Sequence, residues 1–171
     1  SSVKTIGSYA FYGCSNLKTV TIAEGLEKIA QNAFESCTSL EEITLPQSLT
    51  AINGYAFKNC TALKEIEVPG AVPIIYVYAF ENCTSLEKVT LNYGVEQLYD
   101  YVFLNCTNLK EISMPESLVT IGRNTFDSCK SLASVKLPDS VTKIGFEAFR
   151  NCKTLAEINF PLSWAEAPTR H

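Results

Sequence analysis

The chain has almost no histidine: the single residue, His171, ends the sequence. Catalytic sets that pair Ser or Cys with His therefore have no usable base. Long apolar runs are missing too. No stretch approaches about 18 apolar residues, so no membrane-spanning helix is expected. The sequence opens inside a repeated pattern at Ser1-Ser2-Val3-Lys4-Thr5-Ile6-Gly7, and no signal peptide is expected within it. That opening reads as a mature piece or an excised fragment. Basic residues are in short supply, 14 Lys and Arg against 18 Asp and Glu, for a net charge of -4. Phosphate binding needs clustered Lys and Arg, so no nucleic-acid partner is expected. No Gly-rich phosphate loop and no metal-ligand cluster occur, so neither a cofactor nor a metal is expected. With no catalytic set in sight, the chain is not read as an enzyme.

What is present is regularity. Cysteine stands at 14, 37, 60, 83, 106, 129 and 152, a constant step of 23 residues. Phe11, Phe34, Phe57, Phe80, Phe103, Phe126 and Phe149 keep the same step, and so does Leu17 through Leu155. A fixed period in the range of about 20 to 50 residues marks a stacked repeat. With hydrophobic residues at 46%, such a stack can bury a core.

Seven cysteines cannot all pair. If successive turns stack about 5 Å apart, as strands do, the thiols form a line of parallel side chains. A disulfide needs Cβ atoms about 3.5–4.5 Å apart and facing each other, and structural zinc needs four converging ligands. A ladder offers neither, so buried, reduced thiols are expected.

Aligned on cysteine, apolar residues recur at fixed offsets. Eight before it lie Ile6, Ile29, Ile52, Ile75, Leu98, Ile121 and Ile144. Six after it lie Val20, Ile43, Ile66, Val89, Ile112, Val135 and Ile158; eight after it comes another apolar residue, from Ile22 to Phe160. Alternation there predicts a short strand such as Glu42–Leu45. Pro46, Pro69, Pro115, Pro138 and Pro161 then turn a corner. A second extended piece follows, such as Leu118–Ile121. The Ala-Phe-x-x-Cys segment is too short for a stable α-helix and is expected as helical turns or a short 3₁₀ piece. Residues 1–164 read as one solenoid of about seven turns. Residues 165–171 read as an irregular tail, in part an expression-tag scar.

The residues at these offsets carry a likeness: Thr120-Ile121-Gly122, then Phe126 and Cys129, followed by Leu137-Pro138-Asp139-Ser140-Val141. This pattern resembles the BspA-like (Treponema-type) leucine-rich repeat, turn after turn over nearly the whole chain. The resemblance implies a right-handed leucine-rich-repeat solenoid of short parallel strands. Members of that family are mostly surface or secreted modules, many implicated in adhesion to host proteins. The resemblance therefore implies a protein-binding role at a cell surface or outside the cell, and supplies no ligand and no catalytic residue.

Two surface features stand out. Lys18, Glu41, Lys64, Glu87 and Lys110 alternate in sign in one row, which reads as a solvated ladder that fixes register. The second feature is a break in the pattern. Ile75-Tyr76 and Leu98-Tyr99 stand where other turns carry Ile-Gly, Ile-Ala or Ile-Asn, Ile74 and Val77 replace mostly polar or glycine positions, and Tyr93 takes a corner. Tyr78 and Tyr101 lie in register with Tyr55. Amphipathic aromatics on a rigid backbone make good protein anchors. The candidate binding residues are thus Ile74, Tyr76, Val77, Tyr78, Tyr93, Tyr99 and Tyr101. The competing reading is that the tyrosines stack on one another and complete the core edge. Asn59, Asn82 and Asn105 each open an Asn-Cys-Thr glycosylation sequon, which recurs because the repeat does.

The sequence favours a protein-binding, adhesin-like module with an unidentified protein ligand. The alternative is a structural spacer or assembly scaffold, including an engineered array. End-to-end self-association is a further expectation, because neither end shows a polar capping repeat.

Overall fold

Alternating residues such as Glu42-Ile43-Thr44 can bury one face of a strand and leave the other in water. The computed structural model, which describes residues 3–165, has this pattern in every turn. Fourteen strands follow one another: β1 (Thr5–Ile6), β2 (Thr19–Thr21), β3 (Lys28–Ile29), β4 (Glu42–Thr44), β5 (Ala51–Ile52), β6 (Glu65–Val68), β7 (Ile74–Ile75), β8 (Lys88–Leu91), β9 (Gln97–Leu98), β10 (Glu111–Ser113), β11 (Thr120–Ile121), β12 (Ser134–Lys136), β13 (Lys143–Ile144) and β14 (Glu157–Asn159). A single helical turn, α1 (Leu162–Ala165), ends the described chain. Residues 166–171, most of the expected tail, lie outside the described residues.

The odd-numbered strands form one seven-stranded sheet, while the even-numbered ones pair in three shorter groups. Every pairing is parallel, and partners sit one period apart, as in Ile29 with Ile52 and Ile66 with Val89. Parallel pairing of identical registers places like residues over like. The phenylalanine rings accordingly stack in one column, with neighbouring centroids 5.1 to 5.5 Å apart. Phe34 through Phe126 are fully buried.

Of the two expected forms, helical turns or a short 3₁₀ piece, the crossing segment takes turns, and no 3₁₀ piece occurs among the described residues. The segment keeps i→i−3 bonds, such as Ala56 N–H to Asn53 C=O (3.3 Å), Lys58 N–H to Tyr55 C=O (3.1 Å) and Cys60 N–H to Phe57 C=O (3.1 Å). The alternate N–H groups leave the turn. Tyr55, Phe57 and Asn59 donate to Val77, Ala79 and Glu81 of the next turn at 2.8–3.0 Å. A 3₁₀ helix directs every N–H inward along its own axis. Here two positions per turn take positive φ, at Tyr55 (61°) and Asn59 (60°), and break that sequence into linked β-turns.

The thiol ladder is reduced, and Cys37, Cys60, Cys83, Cys106 and Cys129 are buried. Cys14 is exposed and Cys152 half-buried, contrary to the expectation of seven buried thiols. Both sit in end turns, which have a neighbour on one side only. Among the described residues no helix is long and apolar enough to cross a membrane, and no group of three His, Cys, Asp or Glu could hold a metal ion.

Candidate functional site

The seven-stranded sheet carries the pattern break on its outer side. β7 and β9 end in Ile75 and Leu98, fully buried, so the next residues, Tyr76 and Tyr99, turn outward. Each is 37% exposed, and their rings meet edge to face at 5.2 Å with an interplanar angle of 64°. Ile74 and Val77 beside them are half-buried. These four residues form a ridge between two open clefts. One, of about 570 Å³, is lined by Ile74, Tyr76, Val77, Tyr55, Pro73 and Lys28 among others. The second, of about 480 Å³, is lined by Val77, Tyr99, Asp100, Arg123, Lys143 and Phe146 among others.

The remaining candidates go elsewhere. Tyr78 and Tyr101 join Tyr55 in a separate half-buried column, with centroids 5.0 and 4.7 Å apart and planes within 19° and 1°. This is the stacking arrangement, and it is reinforced by charge. The Lys58 ammonium lies 5.3 Å from the Tyr55 ring centre and 5.6 Å from that of Tyr78, and it pairs with Glu81 at 2.9 Å. Burial works against the Lys58 ammonium, but the Glu81 hydrogen bond and charge more than offset it and hold the pKa above its ordinary value. Burial, with Tyr101 and Tyr55 adding to it, pushes the Tyr78 phenol up. Tyr93 is 77% exposed and lies at the corner before β9, outside both clefts.

Phe146 is not among the sequence candidates, yet it is 73% exposed at the mouth of the second cleft. Its signal is in the alignment: Gln31, Gly54, Val77, Asp100, Arg123 and Phe146 share one row, and only Val77 and Phe146 are apolar there. On the other strand face, the charge ladder closes as Lys64–Glu41 (2.6 Å) and Lys110–Glu87 (2.8 Å). The Lys64 hydrogen bond and charge hold the Glu41 carboxyl below its ordinary value. That face exposes no comparable aromatic cluster among the described residues.

The family described as BspA type leucine rich repeat region matches residues 1–107 and 51–169, with six copies. A leucine-rich repeat protein from Bacteroides ovatus is 34% identical, with a TM-score of 0.86 over 92% of this chain. The chain spans 41% of that protein's length. The T. pallidum leucine rich repeat protein is 29% identical, with a TM-score of 0.81, over 88% of this chain and 71% of its own. A leucine rich cell surface protein from Faecalibacterium prausnitzii, 23% identical with a TM-score of 0.52, covers 99% of this chain and 73% of its own, and shows the fold alone. No curated relative matches. The 23-residue register, the parallel strands and the family match agree, and the chain belongs to the BspA-type leucine-rich-repeat family.

Proposed function

We propose that the chain is a protein-binding, adhesin-like module of a surface or secreted protein, and that it engages its partner through the ridge of Ile74, Tyr76, Val77 and Tyr99. The observation that carries this reading is the exposed Tyr76–Tyr99 pair. It occupies a row where the other turns place Gly7, Ala30, Asn53, Gly122 and Gly145. A core does not need phenol rings 37% open to water. Tyrosine contributes large contact area at low entropy cost, which suits it to binding hot spots. Surface or secreted placement follows from the family's usual setting and is part of the proposal.

The test is a double variant, Tyr76→Ala with Tyr99→Ala, compared with the parent on an array of immobilised host matrix proteins. The parent should bind at least one saturably. The variant should melt nearly as the parent does and bind that protein about 2 kcal/mol more weakly. A large drop in melting temperature with unaltered binding would assign the pair to the core edge instead.

A further inference from the structure

The second cleft has a shape and charge that the ridge does not share. We propose that it binds an extended acidic segment of a partner protein, with a carboxylate held by Arg123 and Lys143 between two apolar side chains. The proposal rests on the protein-binding reading above and adds the chemistry of the partner.

Packing makes the hollow. Where the two preceding turns carry Tyr76 and Tyr99, the next two carry Gly122 and Gly145. A Cβ at Gly122 would come within 2.5 Å of the Tyr99 carbonyl carbon, and one at Gly145 within 2.4 Å of the Arg123 nitrogen. The backbone excludes any side chain at either position, so the floor stays bare. Tyr99 and Val77 wall one end, and Phe146 walls the other. Val77 and Phe146 occupy the same register three turns apart, which at strand spacing is about 15 Å. An extended peptide rises about 3.3 Å per residue, so about four or five residues span the trough.

The charges select the middle of that segment. Asp100 is already engaged: one oxygen accepts the Arg123 backbone N–H at 2.7 Å, and the other lies 4.0 Å from the Arg123 side chain. Lys143 is in none of the ion pairs found among the described residues. Two cations against one committed carboxylate leave the lining positive, although the chain as a whole carries -4. Phe146, 73% exposed, offers apolar surface that an apolar side chain would remove from water. A segment with a carboxylate at its centre and apolar residues at its ends matches these features in order.

The probe is a random heptapeptide display library, panned on the intact chain at low salt. Enriched peptides should carry Asp or Glu flanked on both sides by apolar residues. Their affinity should fall at least tenfold in Lys143→Glu and in Phe146→Ser, stay close to the parent's in Lys143→Arg, and weaken with added salt. Lys143 and Phe146 are exposed, and melting curves would check that the variants stay folded. Enriched peptides without acidic residues, acidic peptides indifferent to both substitutions, or no enrichment at all would overturn the proposal. Binding lost in Tyr76→Ala but unchanged in Lys143→Glu would overturn it too, while leaving the ridge as the binding site.

Discussion

Cys83 shows what a single residue contributes in this architecture. It is fully buried, and its thiol donates to the Phe57 carbonyl of the preceding turn at 3.2 Å. Burial pushes the Cys37 and Cys152 thiols up to about 11, and holds Cys60, Cys83, Cys106 and Cys129 well above their ordinary value. The consequence for stability has a definite sign. Below an ordinary thiol pKa of 9.0, both folded and unfolded chains keep the proton and the contribution is fully present. Above it the unfolded chain loses a proton that the folded chain retains, so stability falls as pH rises toward the folded pKa. Each such site contributes up to about 1.4 kcal/mol per pH unit to that slope. Denaturant melts of the parent and Cys83→Ala, under reducing conditions from neutral pH upward past 9.0, should therefore show a shallower alkaline decline in the variant. Parallel declines would mean that the Cys83 thiol ionises freely in the folded state.

At the scale of one element, the crossing segment depends on two left-handed positions. Asn59, Asn82 and Asn105 fill the one before cysteine with φ near 60°, and Gly13, Ser36, Ser128 and Asn151 fill it elsewhere. Their amides form a ladder: Asn82 donates to Asn59 at 2.9 Å and Asn105 to Asn82 at 3.0 Å. The same bonds occupy the amide nitrogens of Asn82 and Asn105, two of the three glycosylation sequons. Asn82→Ala should lose the ladder bonds and the polar side chain that lets asparagine tolerate a left-handed backbone, leaving uncompensated the cost of a Cβ there, about 1–2 kcal/mol. Asn82→Gly should lose only the ladder, apart from the added freedom of its unfolded chain. Glycine should then be the less harmful substitution, reversing its usual order with alanine, and urea midpoints would check it. An alanine variant as stable as the glycine one would show that the left-handed backbone carries no such cost. This asparagine position was legible in the sequence, because Asn and Ser favour such turns. The other left-handed position was legible only where Asn32 and Asn124 hold it. Tyr55, Tyr78 and Tyr101 hold it at φ near 60°, and nothing in a tyrosine's local preference announces that. The clefts were equally hidden: glycine at 122 and 145 looked like the ordinary residue of the row, although its bareness forms a floor only beside Tyr99 and Phe146. The strands, the register and the outward Tyr76–Tyr99 row were readable, because a period of 23 fixes which residues become neighbours.

The described residues form a one-dimensional stack, so its first and last turns, each with a neighbour on one side only, differ from everything between them. Interior phenylalanines have no exposure, whereas Phe11 is 40% exposed, Tyr9 57% and Tyr12 53%. At the other end, Trp164 takes the row of Leu26 and Val141. Its indole N–H donates to the Val141 carbonyl at 3.0 Å, and its ring stacks on Phe160 at 5.8 Å. The backbone gives the ends opposite characters. In each interior turn the crossing segment donates to the next, so the Ser8, Ala10 and Tyr12 carbonyls accept from no described residue. The Glu147, Phe149 and Asn151 N–H groups likewise have no acceptor among the described residues. Acceptors at one end and donors at the other are complementary between two copies, which favours head-to-tail contact, a heterologous mode that need not close. Sedimentation velocity should therefore show association that grows with protein concentration. Trp164→Ala should strengthen it by uncovering the last rung. Tyr12→Lys should weaken it, because in that register residue 12 shares a row with Arg150 of the neighbouring copy and two like charges would meet, while a cation in that row is ordinary, as at Lys58. Parent and Trp164→Ala chains that both sediment as monomers at the highest concentrations would show that the open ends are not sticky enough to join.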